Sequence, residues 1–298
     1  MRFPWARQML HRRGRKPGHH PGNAQSNGRK GERMQEQDTP LLVRRQGAVV
    51  RLVLNRPARR NALSADLIAR LREALESLRR DAGARIVVVS GAGGHFCAGL
   101  DLGEVGAAEA TDAKLAAQLE RNRSIGACFE ALAALPQVVI AQVEGSVYAG
   151  GLGFVCAADI ALADASARFA APEVRRGLVP GQILPWLVRR MGRSAATRLV
   201  LQAGVLDAGA AARAGLVHEA AEDAAALDRR VAEVIAELLQ GAPGALAETK
   251  RLIAALGPVS PPAYAETAAQ AFARAAAGEA EEGIAAFREK RPPAWTRG

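Results

Sequence analysis

Short, continuous aliphatic runs separated by stretches of helical periodicity constrain the fold of this chain more than any other feature. Ile86–Val89 and Val138–Val143 are runs of this kind, as expected for strands buried on both faces of a sheet. Val49–Leu54 is β-branched and ends at an Asn-Arg-Pro turn, and Ile160–Ala163 is a further short strand. Strands that alternate with helices predict an α/β core.

The first predicted helix follows Ser64, which occupies the position of an N-cap. Its apolar residues fall on one helical face and are Leu67, Ile68, Leu71, Leu75 and Leu78. Residues 112–134 and 151–158 are also predicted to be helical, and Glu144–Gly151 is predicted as a glycine-rich turn. After Pro185 the chain is predicted to be mostly helical, with breaks near Gly204, Gly241–Gly244 and Gly257–Pro262.

Positive charge is concentrated at the N-terminus. The whole chain has a net charge of +10, of which residues 1–33 contribute +8 through nine basic side chains and one acid, leaving about +2 for the rest. We interpret residues 1–40 as a disordered basic tail. Three interpretations stay open: an inert segment upstream of a true start at Met34, a solvated anion-binding tail, and a targeting segment. Because the basic residues belong to the tail, nucleic acid is not the expected partner.

Composition excludes several other classes of protein. The chain has 49% hydrophobic residues, a globular value, and no uncharged apolar stretch of 18 residues or more, so no membrane span is expected. The three cysteines, Cys97, Cys128 and Cys156, have no paired spacing, which favours a reducing compartment and a cytoplasmic location. The five histidines lack metal-ligand spacing, so neither a metal nor a separate cofactor is expected.

Two glycine-rich turns are the best candidates for a reactive site. One is Cys97–Asp101, and the other is Ala149–Gly153, which leads into a helix. A turn that opens a helix exposes backbone N–H groups at the positive end of the helix dipole. If the two turns converge, they would form an oxyanion hole from backbone alone. The looser glycine cluster Gly91–Gly94 is interpreted as a tight turn, since no helix follows it directly.

Several separated motifs, in the same order, resemble the crotonase superfamily of enoyl-CoA hydratases and isomerases. The resemblance runs from about Leu41 to Trp295. The motifs that carry it are Asn55-Arg56-Pro57 with Arg60–Ser64, Gly94–Leu102, Glu144–Asp159, Ala171-Pro172-Glu173 with Gly177–Pro180, Gly215–Val217, and Glu282-Gly283 with Ala286-Phe287 and Glu289–Pro292.

The resemblance implies an α/β fold, a spiral of ββα turns over residues 41–230, followed by a C-terminal helical region, 231–298, that assembles homotrimers or hexamers. It implies an acyl-CoA thioester as substrate, whose oxygen is held by the backbone N–H groups of Leu100 and Gly150 as it becomes an enolate. It also implies that Glu173 is the acid–base carboxylate. Glu104 is retained as a minor second acid candidate.

Residues expected by resemblance to bind the substrate and its CoA moiety lie in four parts of the chain. They are Arg56, Ala58, Leu63, Ala98, Gly99, Asp101, Gly151 and Lys290. Lys290 is expected to reach the CoA of a neighbouring subunit. Asp101 and Asp159 are expected to fix loops and helix starts rather than to do chemistry.

The chain departs from the two-carboxylate hydratases at Gly153, where those enzymes have a glutamate. The surrounding sequence is similar to isohexenylglutaconyl-CoA hydratase and to the hydroxymethylglutaryl-type dehydratase of polyketide β-branching. Both handle branched glutaconyl groups that carry a second carboxylate. One hypothesis is that Arg168, Arg175 or Arg176 receives this carboxylate, and the alternative is that these arginines form a solvated basic face. The predicted function is therefore an enoyl-CoA hydratase or dehydratase. Double-bond isomerisation and polyanion or RNA binding through the tail are the alternatives.

Overall fold

The computed structural model describes residues 39–101, 112–176, 178–256, 282, 285, 286 and 289–296. They belong to one structural unit that begins at Thr39. The Asn55 side chain donates to the Thr39 carbonyl at 2.8 Å and its backbone N–H to the Pro40 carbonyl at 2.7 Å. Thr39 and Pro40, included in the predicted tail, are therefore tied to the folded part, and the tail from 1 to 38 lies outside the described residues.

The elements alternate between strands and helices over most of the described chain. The strands are β1 (Leu41–Gln46), β2 (Val49–Leu54), β3 (Ile86–Gly91), β4 (Val138–Val143), β5 (Ser146–Tyr148), β6 (Ile160–Asp164), β7 (Arg168–Ala170), β8 (Val205–Asp207) and β9 (Glu219–Ala221). The helices are α1 (Ala65–Arg79), α2 (Asp112–Ala133), α3 (Gly150–Ala157), α4 (Leu184–Gln202), α5 (Ala208–Arg213), α6 (Ala224–Leu238) and α7 (Pro243–Ala255).

The main sheet has six strands in the order β1-β2-β3-β4-β6-β9. Only β1 and β2 pair antiparallel, and every other neighbouring pair is parallel. Every residue of the central strand β4 is buried, because helices cover both faces, as parallel sheets require. The larger core contains buried residues of α1, α2 and α3, whereas α6 packs Leu227, Val231 and Val234 on the opposite face. No helix of the described ranges is long and apolar enough to cross a membrane.

A second, smaller sheet has the order β5-β7-β8. The sequence pattern missed all three of its strands, and Glu144–Gly151, predicted as a turn, contains β5. Each strand is three residues long and gains its hydrogen bonds only from distant parts of the chain. Such strands leave no periodic signal, since period-2 alternation needs four or more residues. The same applies to β9, which is also three residues long.

The predicted α/β class, the four predicted strands and the helices after Ser64 and before Pro136 are confirmed. The edge strand β1 was missed, and β8 and β9 interrupt the region predicted to be mostly helical. The break predicted at Gly257–Pro262 lies outside the described residues. The domain boundary at residue 230 and the trimerisation region stay predictions.

Ser64 begins α1 as predicted, with its hydroxyl accepting a hydrogen bond from the Leu67 N–H at 3.2 Å. We expect Ser64→Ala to lower the free energy of unfolding by about 1 kcal/mol, because a backbone donor loses its partner. Ser77, exposed within the same helix, is the matched control, and Ser77→Ala should be neutral or slightly stabilising. Urea denaturation of both variants tests this, and equal losses would contradict the capping role.

Candidate active site

The two glycine-rich turns come together through short backbone pairings. Cys97 forms a parallel bridge with Val147 of β5, in which the Cys97 N–H donates to Ser146 and its carbonyl accepts from Tyr148, both at 2.9 Å. Gly99 has φ +87°, and a Cβ on it would lie 2.7 Å from the Cβ of Ala149. Only glycine therefore permits both this backbone conformation and this approach.

The geometry leaves two backbone N–H groups without partners. Leu100 forms a parallel bridge with Leu63, but the bonds run through Gly99 O and Asp101 N, at 2.8 and 3.1 Å, so the N–H of Leu100 points the other way. Gly150 is the first residue of α3, which has no side-chain N-cap. Within the described residues neither N–H donates a hydrogen bond. Both lie where the dipole of α3 is positive.

A cavity of about 200 Å³ opens between these turns and the segment after β7. Among the residues predicted for the oxyanion hole, for acid–base catalysis and for CoA binding, five line it: Leu63, Ala98, Leu100, Gly150 and Glu173. The cavity thus brings the two free N–H groups and one carboxylate to the same space. This is the arrangement needed to stabilise an enolate and to move a proton beside it.

The other described residues predicted for CoA binding do not line the cavity. Arg56 pairs with Asp101 at 2.9 Å and donates to the Ala62 carbonyl, and so ties together the two segments that form the Leu63–Leu100 bridge. Ala58 lies exposed in the 3₁₀ helix Pro57–Arg59. Gly99 and Gly151 form the backs of the two turns, where a Cβ on Gly151 would meet the Cys97 carbonyl at 2.6 Å. Lys290 is exposed near the C-terminus, and Glu104 lies outside the described residues.

Glu173 begins the 3₁₀ helix Glu173–Arg176. Its Oε2 is buried and has no hydrogen-bond partner within the described residues. Burial raises the pKa of this carboxyl above its ordinary value, against smaller lowering effects of its own backbone N–H and of Arg176. A carboxylate with one buried, unbonded oxygen in a partly apolar cavity is suited to proton transfer.

The absence of a carboxylate at position 153 is built into the packing. A Cβ on Gly153 would lie 2.2 Å from the ring of Phe129, which occupies that space. Phe129 in turn packs edge-on against Phe154 and Trp186, with ring centroids 4.8 and 6.4 Å away. A glutamate at 153 therefore requires this aromatic cluster to move.

The other carboxylates of the described residues do not line the cavity. Asp159 accepts hydrogen bonds from the Val139 N–H and from Lys250, both at 2.7 Å, and so ties β4 to α7, in line with its expected structural role. Burial and the neighbouring Asp164 and Asp228 raise the pKa of Glu144, but Glu144 does not line the cavity. Within the described part of the chain, no cluster of three or more metal-ligating side chains forms.

The three arginines expected to receive a second carboxylate have different positions. Arg176 lines the cavity. Arg175 donates to the Gln202 carbonyl and Arg168 to the Ala165 and Ala167 carbonyls, each at 2.9 Å. Neither of these two lines the cavity.

Three polar residues of the cavity wall were not predicted from the sequence: Asn122, Tyr148 and Gln182. The sequence carries one indirect signal of Gln182. Gly126 stands in the middle of a predicted helix, where glycine usually reflects close packing by another residue, and in the structure that residue is Gln182.

The comparisons with known proteins agree with this architecture. Residues 44–298 match the sequence profile described as enoyl-CoA hydratase/isomerase. The 2,3-dehydroadipyl-CoA hydratase of Escherichia coli K12 is 32% identical over 255 residues, covering 85% of this chain and 97% of that protein. Pseudomonas aeruginosa AtuE has 40% identity and a TM-score of 0.81, covering 87% and 100% of the two chains. An enoyl-CoA hydratase/isomerase from Marinobacter aquaeolei has 35% identity and a TM-score of 0.81, covering 87% and 99%.

The raised pKa of Glu173 has a consequence for stability. Its ionised form is less favourable in the folded state, so it lowers stability above its folded pKa and has no effect below the ordinary glutamate pKa of about 4.3. We expect Glu173→Gln to leave the melting temperature at pH 7 unchanged or higher, with the difference vanishing as the pH approaches 4.

Glu219 is the matched control. Its pKa is shifted in the opposite direction to that of Glu173, because a hydrogen bond from Arg230 lowers it. It contributes stability above the ordinary pKa that is lost as the pH falls through the folded pKa. Glu219→Gln should therefore lower the melting temperature at pH 7. A clear loss of stability in Glu173→Gln at pH 7 would contradict the conclusion that burial destabilises the ionised form of Glu173 in the folded state.

Proposed function

Since the chain belongs to the enoyl-CoA hydratase/isomerase family, whose members act on acyl-CoA thioesters, we propose that it adds water to an enoyl-CoA with Glu173 as its only acid–base carboxylate. The observation that carries the proposal is the convergence of the buried Glu173 carboxylate and two unbonded N–H groups on one cavity. The proposal includes the homotrimer or hexamer, and a CoA contact by Lys290 of a neighbouring copy.

In the proposed reaction, the thioester oxygen accepts hydrogen bonds from the N–H groups of Leu100 and Gly150. Ionised Glu173 takes a proton from water as the water oxygen bonds to the β-carbon, and the double-bond electrons move to the thioester oxygen as an enolate. Glu173 then returns the proton to the α-carbon. Negative charge develops on the thioester oxygen only in the transition state, so the two fixed donors lower the barrier more than they strengthen ground-state binding.

Burial supports this assignment because it raises the pKa of the Glu173 carboxyl and so brings it closer to the higher pKa of the carbon acid. A raised pKa makes Glu173 a stronger base when ionised and keeps it able to return the proton. Phe129 fills the space beside Gly153, so no carboxylate at position 153 can share the proton transfers. One group must therefore act first as base and then as acid.

We expect Glu173→Gln to lower the hydration rate by about 10²–10⁴-fold, because the amide cannot accept the proton. The measurement is a turnover panel with crotonyl-CoA, 3-methylglutaconyl-CoA and isohexenylglutaconyl-CoA. Glu219→Gln, at a residue that does not line the cavity, serves as the control and should keep wild-type turnover. Deuterium exchange into an enoyl-CoA without water addition would instead indicate an isomerase, and hydration that survives Glu173→Gln would refute the single-carboxylate mechanism.

We further propose a substrate that carries a second carboxylate, as in a branched glutaconyl-CoA. Arg176 supports this proposal, because it is the only one of the three candidate arginines that lines the cavity. It belongs to the same 3₁₀ helix as Glu173. A guanidinium suits a carboxylate through paired, charge-assisted hydrogen bonds. One relative is named for 2,3-dehydroadipyl-CoA, an enoyl thioester that also bears a free carboxylate.

We expect Arg176→Met to raise KM for 3-methylglutaconyl-CoA by about tenfold or more, since a charge-assisted contact contributes about 1.5–3 kcal/mol. KM for crotonyl-CoA, which has no second carboxylate, should change little. Arg175→Met is the matched control, because Arg175 is adjacent in sequence but bonded to Gln202 outside the cavity. Equal effects on both substrates would remove Arg176 from carboxylate recognition.

A further inference from the structure

The side-chain amide of Gln182 forms part of the cavity wall and has no role in the reaction proposed for Glu173. Gln182 lies in the turn before α4 and lines the cavity together with Asn122 of α2. The Gln182 Nε2 donates to the Asn122 Oδ1 at 2.9 Å. The amide lies across Gly126, also of α2, where a Cβ would be 2.1 Å from the Gln182 Oε1.

The glycine under this amide is unfavourable for the helix that carries it. Gly126 is well inside the 22-residue helix α2, where glycine costs about 1 kcal/mol relative to alanine. Any side chain there would displace Gln182. Glycine at position 126 therefore weakens α2 but leaves the space that the Gln182 amide occupies.

The hydrogen-bonding state of the amide defines what it can bind. Its N–H is used by Asn122, whereas Oε1 makes no hydrogen bond within the described residues and is not among the atoms buried from solvent. Gln182 thus brings an acceptor without a hydrogen bond to the cavity wall, beside Gly126. A free acceptor attracts a hydroxyl group or water and disfavours a carboxylate, which has only acceptors itself.

We propose that Gln182 is the second polar group of the hydration site and that its Oε1 accepts a hydrogen bond from the attacking water. This rests on the proposed function. One water proton goes to Glu173, the water oxygen bonds to the β-carbon, and the other proton stays on that oxygen and points to Gln182. The amide orients the nucleophile without exchanging a proton, and Asn122 and Gly126 are positioning residues.

The assignment also accounts for a site with a single carboxylate. Water held only by Glu173 can turn about that one hydrogen bond, whereas two acceptors fix the direction of its lone pair. Orientation of this kind contributes to rate without further ionisable groups. Phe129 closes the space at Gly153, so the second acceptor has to come from another element, and Gln182 lines the same cavity as Glu173.

The test compares two reactions on the full-length protein. Hydration of crotonyl-CoA requires the oriented water, whereas exchange of the α-proton of butyryl-CoA in D₂O requires only Glu173 and the oxyanion donors. Gln182→Met keeps the shape and removes the acceptor, Gln182→Glu keeps an acceptor, and Gly126→Ala displaces the amide while strengthening the helix. Gln240→Met, on an exposed side chain of the C-terminal half, is the matched control.

We expect Gln182→Met and Gly126→Ala to lower kcat for hydration by about 10²-fold, with α-proton exchange kept within twofold of wild type. Gln182→Glu should keep kcat within about tenfold. If Gln182→Met hydrates normally, or loses hydration and exchange equally, the inference is wrong while the proposed function stands. A wild-type protein that exchanges the α-proton but hydrates neither crotonyl-CoA nor the glutaconyl esters overturns both.

Discussion

The close approach of two backbone turns is the constraint on which the rest of the site depends. The Cys97–Val147 and Leu63–Leu100 bridges bring the turns together, and Gly99 lets them meet against Ala149. Because the donors are backbone N–H groups, no side chain specifies them directly. What the sequence must encode instead is the absence of side chains at the contact and the presence of β5, the short strand that fixes one turn. The small sheet therefore serves the site as well as the core, to which it contributes Val147 and Phe169.

The arrangement is locally unfavourable, and the surrounding fold offsets it. Ala149 has φ 50° and ψ −119°, outside the ordinary regions for a residue with a side chain. Two N–H groups and one carboxylate oxygen lack partners within the described residues. Against this, the strained turn leads into α3, whose residues Gly151–Ala157 are all buried in the main core. Extensive apolar burial thus holds a few polar groups in positions that they would otherwise leave.

Much of the fold followed from the sequence, because long elements carry their own periodic signal. The leucine face of α1 and the aliphatic runs of β3 and β4 are read from neighbouring residues. The strands β5, β7 and β8 are three residues each and exist only through pairing across the fold, so no local pattern reveals them. The same contrast holds in the site. The glycine turns and Glu173 belong to recognisable motifs, whereas Gln182 joins the cavity through a contact with Gly126, 56 residues earlier in the chain.

Gly153 and Gly126 have opposite consequences for the chemistry. At Gly153 the missing side chain admits the Phe129 ring and excludes a carboxylate, and at Gly126 it admits an amide. Two carboxylates close together raise each other's pKa and titrate as a pair, whereas an amide has no ionisation. With Gln182 as the partner, the pKa of Glu173 is raised by burial and lowered to a smaller extent by its own backbone N–H and by Arg176. In the proposed mechanism, the protonation state of the site therefore reduces to one group, which suits a residue that must both accept and return the same proton.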